Sequence, residues 1–173
     1  ARFLPRDQDI INSYLSLPDV RKLLPREYRY AKFLWGKQDT DGLTSLYAIK
    51  SNRDDTPPLS GGVVVDASQS YDAVGNAAVS MQMNAQGARI WEDLTGVAYA
   101  QNSNIAIVLD DIIYSAPGVT RGAISGGRSE ITGDFDLNEA IDLANVLRAG
   151  KLPASATIIQ SEVVGPSLGQ EAI

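Results

Sequence analysis

Apolar residues at helical spacing predict two short helices near the start of the chain. They recur every three or four positions between residues 10 and 15, which is the period of one face of an α-helix. Pro18 suits the first turn of a second helix, and Pro25 ends it. Two β-like runs, 28–35 and 43–50, then flank a polar turn and predict a hairpin.

From residue 63 onward, strand and helix signals alternate. This order predicts an α+β fold, a ferredoxin-like antiparallel sheet with two helices on one face, preceded by the small N-terminal helical and hairpin region. The predicted strands lie at 63–70, 77–83, 104–109, 112–115, 129–132 and 156–164, and the helices between Asn84 and Gly96 and between Asp136 and Gly150.

The second of these helices has the clearest boundaries in the sequence. Asp136 is a good N-cap, and Glu139, three residues later, completes a capping box. Gly150 ends the helix, and Pro153 prevents it from resuming. The earlier helix is expected to end at about Thr95, for the same kind of reason, since a glycine follows it.

The amino-acid composition argues against several kinds of partner and catalytic site. The 173 residues carry a net charge of −6, which argues against nucleic acid as a partner, because phosphate contacts need clustered Lys and Arg. The chain has neither cysteine nor histidine. It therefore lacks thiol catalysis, the usual base of a catalytic triad and the commonest zinc ligand. We predict no catalytic residue, no cofactor and no metal site.

Two segments resemble chemical motifs but fit turns better. Asp110 and Asp111 lie between two apolar runs. Adjacent strand residues point to opposite faces, so a hairpin turn is favoured over a carboxylate pair. The Gly-rich stretch 118–127 lacks the Gly-Lys-Ser/Thr ending of a phosphate loop, and no helix begins directly after it. A loop or turn is the better interpretation.

Met81 and Met83 share one face of a predicted strand. Methionine pairs can form adaptable surfaces for varied apolar partners, so these two are candidate contacts for polypeptide. The alternative is that they fill the core beneath a helix, which is the commoner role of such a pair.

The two ends of the chain also carry information. The sequence begins with Ala1-Arg2, and no apolar run approaches the roughly 18 residues that cross a bilayer. Its last residues, from Gly165 on, are punctuated by glycine and proline, like the approach to another element. We therefore expect a piece excised from a longer protein.

A series of short segments lies in a characteristic order along the chain: Leu59-Ser60-Gly61, 79–84, 105–110, Ser115-Ala116-Pro117, Ile131-Thr132-Gly133, Leu147-Arg148-Ala149-Gly150 and Val164-Gly165-Pro166-Ser167-Leu168-Gly169. In this order the segments resemble SecD, the membrane-anchored accessory subunit of the bacterial Sec protein-export machinery. The resemblance covers about residues 59–170, and Asp111 departs from it where the family commonly has glycine.

This resemblance implies a division of the chain into three parts. Residues 1–58 would be a variable region, residues 59–164 the head subdomain, and residues 165–173 a tail leading toward a membrane helix. Glycine can absorb a change of backbone angles where the head begins and ends. We therefore predict a two-strand hinge formed by Leu59, Ser60, Gly61, Gly62, Gly150, Leu152 and Pro153.

The resemblance also implies a function without catalysis. The chain would be a periplasmic (extracytoplasmic) domain of an inner-membrane protein that engages unfolded preprotein and moves as a hinged head during export driven by the proton motive force. SecF and the SecYEG translocon would be partners through parts outside this chain. Two rival interpretations remain: a purely structural docking module of the translocon, and a hydrolase with paired carboxylates about 5 to 9.5 Å apart.

Overall fold

The computed structural model describes residues 1–50 and 56–149 and, by its backbone, a strand at 156–159. Within these ranges it contains the following strands and helices: β1 (Arg2–Phe3), α1 (Gln8–Ser16), α2 (Pro18–Leu23), β2 (Lys32–Gln38), β3 (Thr44–Ile49), β4 (Val64–Tyr71), β5 (Ala77–Met83), α3 (Ala85–Ala100), β6 (Asn104–Leu109), β7 (Ile112–Ser115), β8 (Arg128–Ile131), α4 (Leu137–Arg148) and β9 (Ala156–Ile159).

Five of the strands close into a small barrel. β2 pairs antiparallel with β3 and parallel with β7, and β7 continues through β6 to β9. The ring closes where β9 pairs with β3, at Ile49 opposite Ile159. β1 adds two residues to the other end of the same β3 edge. A closed ring leaves fewer strand edges open to other chains than an open sheet does.

The α+β class is confirmed, but the strands do not form one ferredoxin-like sheet. β4, β5 and β8 form a separate three-stranded antiparallel sheet. The reason lies in β6, where Ile105 and Ile107 on one face and Ala106 and Val108 on the other are all buried. A strand buried on both faces needs a second layer on each side, and a sheet with helices on one face alone cannot supply it.

The predicted boundary after residue 58 runs through the barrel. β2 and β3 come from the first part of the chain, and β6 and β7 from the second, yet β2 pairs with β7 at Trp35 opposite Ile112. Residues 1–58 therefore share their sheet with the predicted head. The predicted tail, 165–173, lies outside the described residues.

Two apolar cores lie on the two sides of β6. The larger one joins the inner face of the three-stranded sheet to α3, α4 and the outer side of β6, with Val79, Trp91 and Leu143 among its buried members. The smaller one fills the barrel with residues that include Val108 and Ile113. These cores pack the three-stranded sheet and the inside of the barrel against opposite faces of β6.

The helices α1 and α2 cover the outer face of the β2–β3 hairpin. The indole N–H of Trp35 donates to the side-chain oxygen of Asn12 at 2.8 Å. The Arg21 guanidinium donates to the backbone oxygens of Leu15 and Ala31, each at 2.6 Å, and lies over the Phe33 ring. The predicted helix pair and hairpin are both present, although the first strand starts at Lys32, because a 3₁₀ turn follows Pro25.

Local turn and cap signals are confirmed where they depend on neighbouring residues. Asp136 and Glu139 form the predicted capping box. Asp110 and Asp111 both have positive φ, 50° and 60°, in a two-residue turn between Leu109 and Ile112. This is the backbone geometry that favours Asn, Asp and Gly in tight hairpins.

One predicted helix end is wrong. α3 does not stop at Gly96 but continues to Ala100. At Gly96 a Cβ would lie 3.4 Å from the Cβ of Ala123, in the Gly-rich loop that packs along the helix. The backbone N–H of Ile124 in that loop donates to the Thr95 hydroxyl at 2.8 Å. The helix therefore runs past Gly96, and the loop packs beside it at an ordinary van der Waals distance.

Among the described residues, no helix has both the length and the apolar character that a membrane span requires.

Candidate functional site

The first half of the predicted hinge is partly anchored. Leu59 is only 4% exposed and belongs to the larger core. The N–H of Val63 donates to the backbone oxygen of Ser60 at 3.3 Å, and the backbone oxygen of Val63 accepts from Asn84 at 2.9 Å. At Gly62 an added Cβ would have no atom within 4 Å. The predicted hinge segment therefore forms a 3₁₀ turn, Gly61–Val63, that is anchored at both ends and has open space beside Gly62.

The second half of the predicted hinge, Gly150, Leu152 and Pro153, lies outside the described residues. The two-strand hinge therefore stays a prediction.

Met81 and Met83 do not form a surface. Their exposed fractions are 4% and 3%, and both lie in the larger core. Their assignment as polypeptide contacts does not fit this structure, because a buried side chain cannot meet an incoming chain. The alternative role, filling the core beneath a helix, fits them.

A cavity of about 720 Å³ opens at the rim of the barrel. We call it the rim cleft; its walls are the ends of β2 and β7 (36–38 and 113–117), the turn and start of β3, and the segment 132–136 that leads into α4, with Glu139. Concave sites of this kind are where ligands are usually bound.

The cleft exists because two parallel strands separate. The ladder between β2 and β7 ends at Gly36 opposite Ile113. Both strands continue beyond that pair, β2 to Gln38 and β7 to Ser115. Beyond Gly36 and Ile113 the two strands no longer pair with each other, and residues of both line the opening. Unpaired backbone groups of a strand can pair with an extended chain.

Two small residues give the cleft its shape. At Gly36, an added Cβ would lie 3.0 Å from the Tyr47 ring, and at Gly133 it would lie 2.9 Å from the Ser115 hydroxyl. The Ser115 hydroxyl donates to the backbone oxygen of Thr132, which ties the end of β7 to the opposite wall. Glycine at these positions lets an aromatic ring and a neighbouring wall approach the backbone closely.

The side chain of Lys37 contacts both an acidic and an aromatic residue of the cleft. Its ammonium group contacts a carboxylate oxygen of Glu139 and lies 5.0 Å from the centre of the Tyr114 ring. The other carboxylate oxygen of Glu139 accepts the backbone N–H of Asp136 at 3.0 Å. The contact joins the barrel rim to the first turn of α4.

The turn between β2 and β3 carries a second ion pair at the cleft. The Asp39 carboxylate accepts the backbone N–H groups of Leu43, at 2.9 Å, and Asp41, at 3.0 Å, and pairs with the Arg2 guanidinium. The hydrogen bond from Leu43 lowers the pKa of Asp39, and Arg2 adds to this lowering against an opposing effect of desolvation. Asp39 is therefore fixed as a charged turn residue.

These partners bear on the hydrolase interpretation. Glycosidase-type catalysis needs two carboxyl groups free to protonate a leaving group and to activate water or attack. The carboxylates of Asp39, Asp136 and Glu139 each accept a hydrogen bond from a backbone N–H. Asp39 and Glu139 also form ion pairs with a cationic side chain. Their geometry serves turn and helix formation, so it gives the hydrolase interpretation no support.

Sequence reasoning missed most of this site. The one local signal of the site is Gly36 inside a β-like run, since glycine in a strand often marks a position where another group approaches the backbone closely. Glu139 was recognised only as a cap. Tyr47 and Tyr114 read as ordinary strand residues, because nothing local shows that the two strands meet.

Comparison with known proteins places the chain in a family. The sequence model for "SecDF, P1 head subdomain" matches residues 40–154. The chain is 41% identical over 165 residues to "Protein translocase subunit SecD" of Rhodothermus marinus, covering 94% of this chain and 26% of that protein. It is 40% identical over 119 residues to "Protein translocase subunit SecDF" of Thermus thermophilus, covering 68% of this chain and 16% of that protein.

A solved structure is also similar. It is described as "Crystal structure of SecDF in Super-membrane-facing form", with a TM-score of 0.50 and 27% identity over 84% of this chain and 18% of that one. The chain thus spans about a quarter or less of the length of these relatives. The match to the family model extends over most of the chain, and the chain belongs to the SecDF P1 head family.

Proposed function

We propose that this chain is the extracytoplasmic, head-bearing part of a Sec translocase accessory subunit, and that it assists protein export by engaging unfolded preprotein. The family match and the names of the relatives, protein translocase subunits SecD and SecDF, support this role. SecF and the SecYEG translocon are the proposed partners, through parts of the protein beyond this chain. We assign no proton-relay role to any aspartate here.

The observation that carries polypeptide engagement is the broken ladder in the rim cleft. Beyond Gly36 and Ile113, residues of β2 and β7 line the cavity without pairing with each other. An extended segment lying there can add hydrogen bonds as a further strand. Backbone pairing is largely independent of side-chain sequence, which suits a protein that meets many different export substrates.

The side chains around the opening favour weak binding of a polypeptide. Tyr47 and Tyr114 line the cleft with aromatic rings, one of which lies under the Lys37 ammonium group, and the polar Gln38 and Thr40 line it as well. Tyrosine combines a large apolar contact area with a polar end that tolerates water. Contacts of this kind are sequence-tolerant and leave a substrate free to move on.

Movement of the head is the second half of the proposal. The segment Ser60–Gly62 enters a 3₁₀ turn that leads into β4 of the three-stranded sheet, and an added Cβ at Gly62 would have no atom within 4 Å. Together with Gly150, Leu152 and Pro153 it would form the hinge about which the head turns. A hinge needs only a few positions that absorb a change in backbone angles.

Site-specific photo-crosslinking in the full-length protein tests the cleft. A photoreactive residue at Gln38 or Asp134, on the two sides of the opening, should give adducts with a stalled export substrate. Matched control positions at Val74 and Glu130 lie on the separate three-stranded sheet and its turn. Adducts from the cleft positions no stronger than those from the controls would contradict engagement at this site.

Binding of an unfolded polypeptide separates the proposal from the rival docking module. A purely structural module should bind no permanently unfolded protein at all. If the chain binds one but the crosslinks fall outside the cleft, the export role stands and the site is wrong. If it binds none and gives no adducts, the docking interpretation replaces engagement of preprotein.

The hinge is tested by Gly62→Val in the full-length protein. The added side chain restricts the backbone, and nothing lies within 4 Å of the added Cβ to clash with it. We expect slower export with an unchanged fold, compared with Ala73→Val in the exposed β4–β5 turn. Equal export rates for the two variants would exclude Gly62 as a hinge residue.

A further inference from the structure

One surface of this acidic chain combines basic side chains with exposed apolar ones. Residues 14–32 carry five of the fifteen basic side chains and two of the twenty-one acidic ones, so this stretch is net positive by three and the rest is net negative by nine. Within it, Lys22, Leu23, Arg26, Arg29 and Tyr30 are all exposed. We call these five residues the basic–apolar surface.

The fold presents these side chains outward in a fixed way. α2 ends at Leu23, and the next residue, Leu24, is only 4% exposed, which anchors the loop to the body. The N–H of Tyr28 closes a turn onto the oxygen of Pro25 at 2.9 Å. The guanidinium of Arg21 binds the backbone oxygen of Ala31 from behind at 2.6 Å. The loop is therefore held at both ends.

Its apolar members protrude. Leu23 is 73% exposed and Tyr30 is 91% exposed. Such values mean that the two side chains project from the surface, and Tyr30 does so at the edge of a cavity of about 220 Å³. A projecting leucine and tyrosine among cations match the interface of a bilayer, where leucine enters the acyl boundary, tyrosine lies at headgroup level and cations meet phosphates.

We propose that the basic–apolar surface docks on an anionic membrane surface. The charge distribution supports this partner: outside residues 14–32 the chain is net negative, and anionic lipid repels negative charge, so contact through this surface is the favoured orientation. The proposal goes beyond the export role and does not depend on it, because neither the rim cleft nor a translocon takes part.

Vesicle binding tests the proposal directly. The 173-residue chain should sediment with vesicles of phosphatidylglycerol mixed with phosphatidylcholine, and not with phosphatidylcholine alone. Because each cation near an anionic leaflet contributes about fivefold to binding, the triple variant Lys22→Gln, Arg26→Gln and Arg29→Gln should lose on the order of a hundredfold. Leu23→Ser with Tyr30→Ser should lose about tenfold or more, since it removes apolar insertion.

A matched control removes the same charge elsewhere. Arg89, Arg121 and Arg128 are exposed on α3, the Gly-rich loop and β8. Changing all three to Gln lowers the net charge equally and should leave vesicle binding unchanged or slightly weaker. Circular dichroism and urea unfolding verify that every variant is folded. Equal losses in the control and in the test variant would overturn the proposal.

Two neighbouring acids allow a test in the opposite direction. Asp19 pairs with Lys22 at 3.2 Å, and Glu27 lies within the 3₁₀ turn. Asp19→Asn with Glu27→Gln should raise binding to the anionic vesicles several-fold, because each change removes a charge that the lipid repels. Unchanged or weaker binding would contradict docking at this surface.

Other occupants give different results. A second copy as the partner would show as self-association in light scattering, lost in the triple variant and independent of lipid. If unfolded polypeptide is the partner, the chain should bind an unfolded protein and not the vesicles. The triple variant should then abolish that binding. Either outcome would overturn membrane docking.

Discussion

The ammonium group of Lys37 contacts the carboxylate of Glu139, and this contact joins the barrel rim to the first turn of α4. The same carboxylate accepts the N–H of Asp136 at 3.0 Å, so one side chain both completes a helix cap and holds the neighbouring strand. The side chains of Lys37 and Glu139 are 27% and 35% exposed, and a partly shielded pair of this kind is worth more than a fully exposed one.

Lys37→Met should therefore destabilise the protein modestly. It removes the charge and keeps the aliphatic stem, so the expected loss in the free energy of unfolding is about 0.5 to 1 kcal/mol at low salt, shrinking as salt is added. Urea unfolding at two salt concentrations measures it. Lys50→Met, on an exposed residue that bonds Gln101, is the control. A loss that does not depend on salt would show that the effect is not electrostatic.

Two glycines of α3 should respond to alanine in opposite directions. At Gly87 the new Cβ would lie 2.7 Å from the Val63 side chain, and overpacking of this kind costs about 1 to 3 kcal/mol. At Gly96 it would lie 3.4 Å from Ala123, an ordinary contact, so the better helix propensity of alanine should stabilise by up to about 1 kcal/mol.

Thermal or urea unfolding of both alanine variants checks this. Each serves as the control for the other, because the helix and the chemical change are the same. Stabilisation by Gly87→Ala, or clear destabilisation by Gly96→Ala, would mean that the packing around α3 differs from that described here.

Arg21→Lys should loosen the helix pair from the barrel. The guanidinium reaches the oxygens of Leu15 and Ala31 at once, and an ammonium group lacks the planar fork that does so. The expected cost is about 1 to 3 kcal/mol, since a partly buried carbonyl loses its charged donor. Hydrogen exchange of the amides in α1 and α2 should quicken. The exposed Arg26→Lys should leave exchange unchanged, and equal exchange in the two variants would contradict the prediction.

Asp72 should make the β4–β5 hairpin sensitive to acid. Its carboxylate accepts the backbone N–H groups of Asn76, at 2.8 Å, and Val74, at 2.9 Å. The hydrogen bond from Asn76 is the largest of the effects that lower the pKa of Asp72 in the folded state. A lowered folded pKa stabilises the protein above the unfolded pKa of about 4, and this stabilisation is lost as the pH falls through the folded value.

Asp72→Asn should accordingly be less stable than the unchanged protein at neutral pH and lose less stability on acidification. Unfolding in urea from about pH 6 down to about pH 3 compares the two slopes. Parallel slopes would show that the hydrogen-bonded carboxylate of Asp72 does not contribute to acid sensitivity.

Features set by residues close in the chain were predictable from the sequence. The capping box of Asp136 and Glu139 needs only three residues of separation, and the tight turn at Asp110-Asp111 needs only the flanking apolar runs. The α+β class follows from the order of such elements. Gly96 was misread, because its neighbour Ala123 is brought to it by a loop whose course local patterns do not specify.

Local patterns in the chain were thus enough to predict most of the elements, the capping box and the tight turn, as well as the family resemblance that the comparisons confirm. Which strands pair depends on long-range packing. The parallel contact of β2 with β7 and the closure of β9 onto β3 join distant parts of the chain, and such pairings depend on complementary buried faces instead of local spacing. The rim cleft and the burial of Met81 and Met83 are consequences of that pairing and packing.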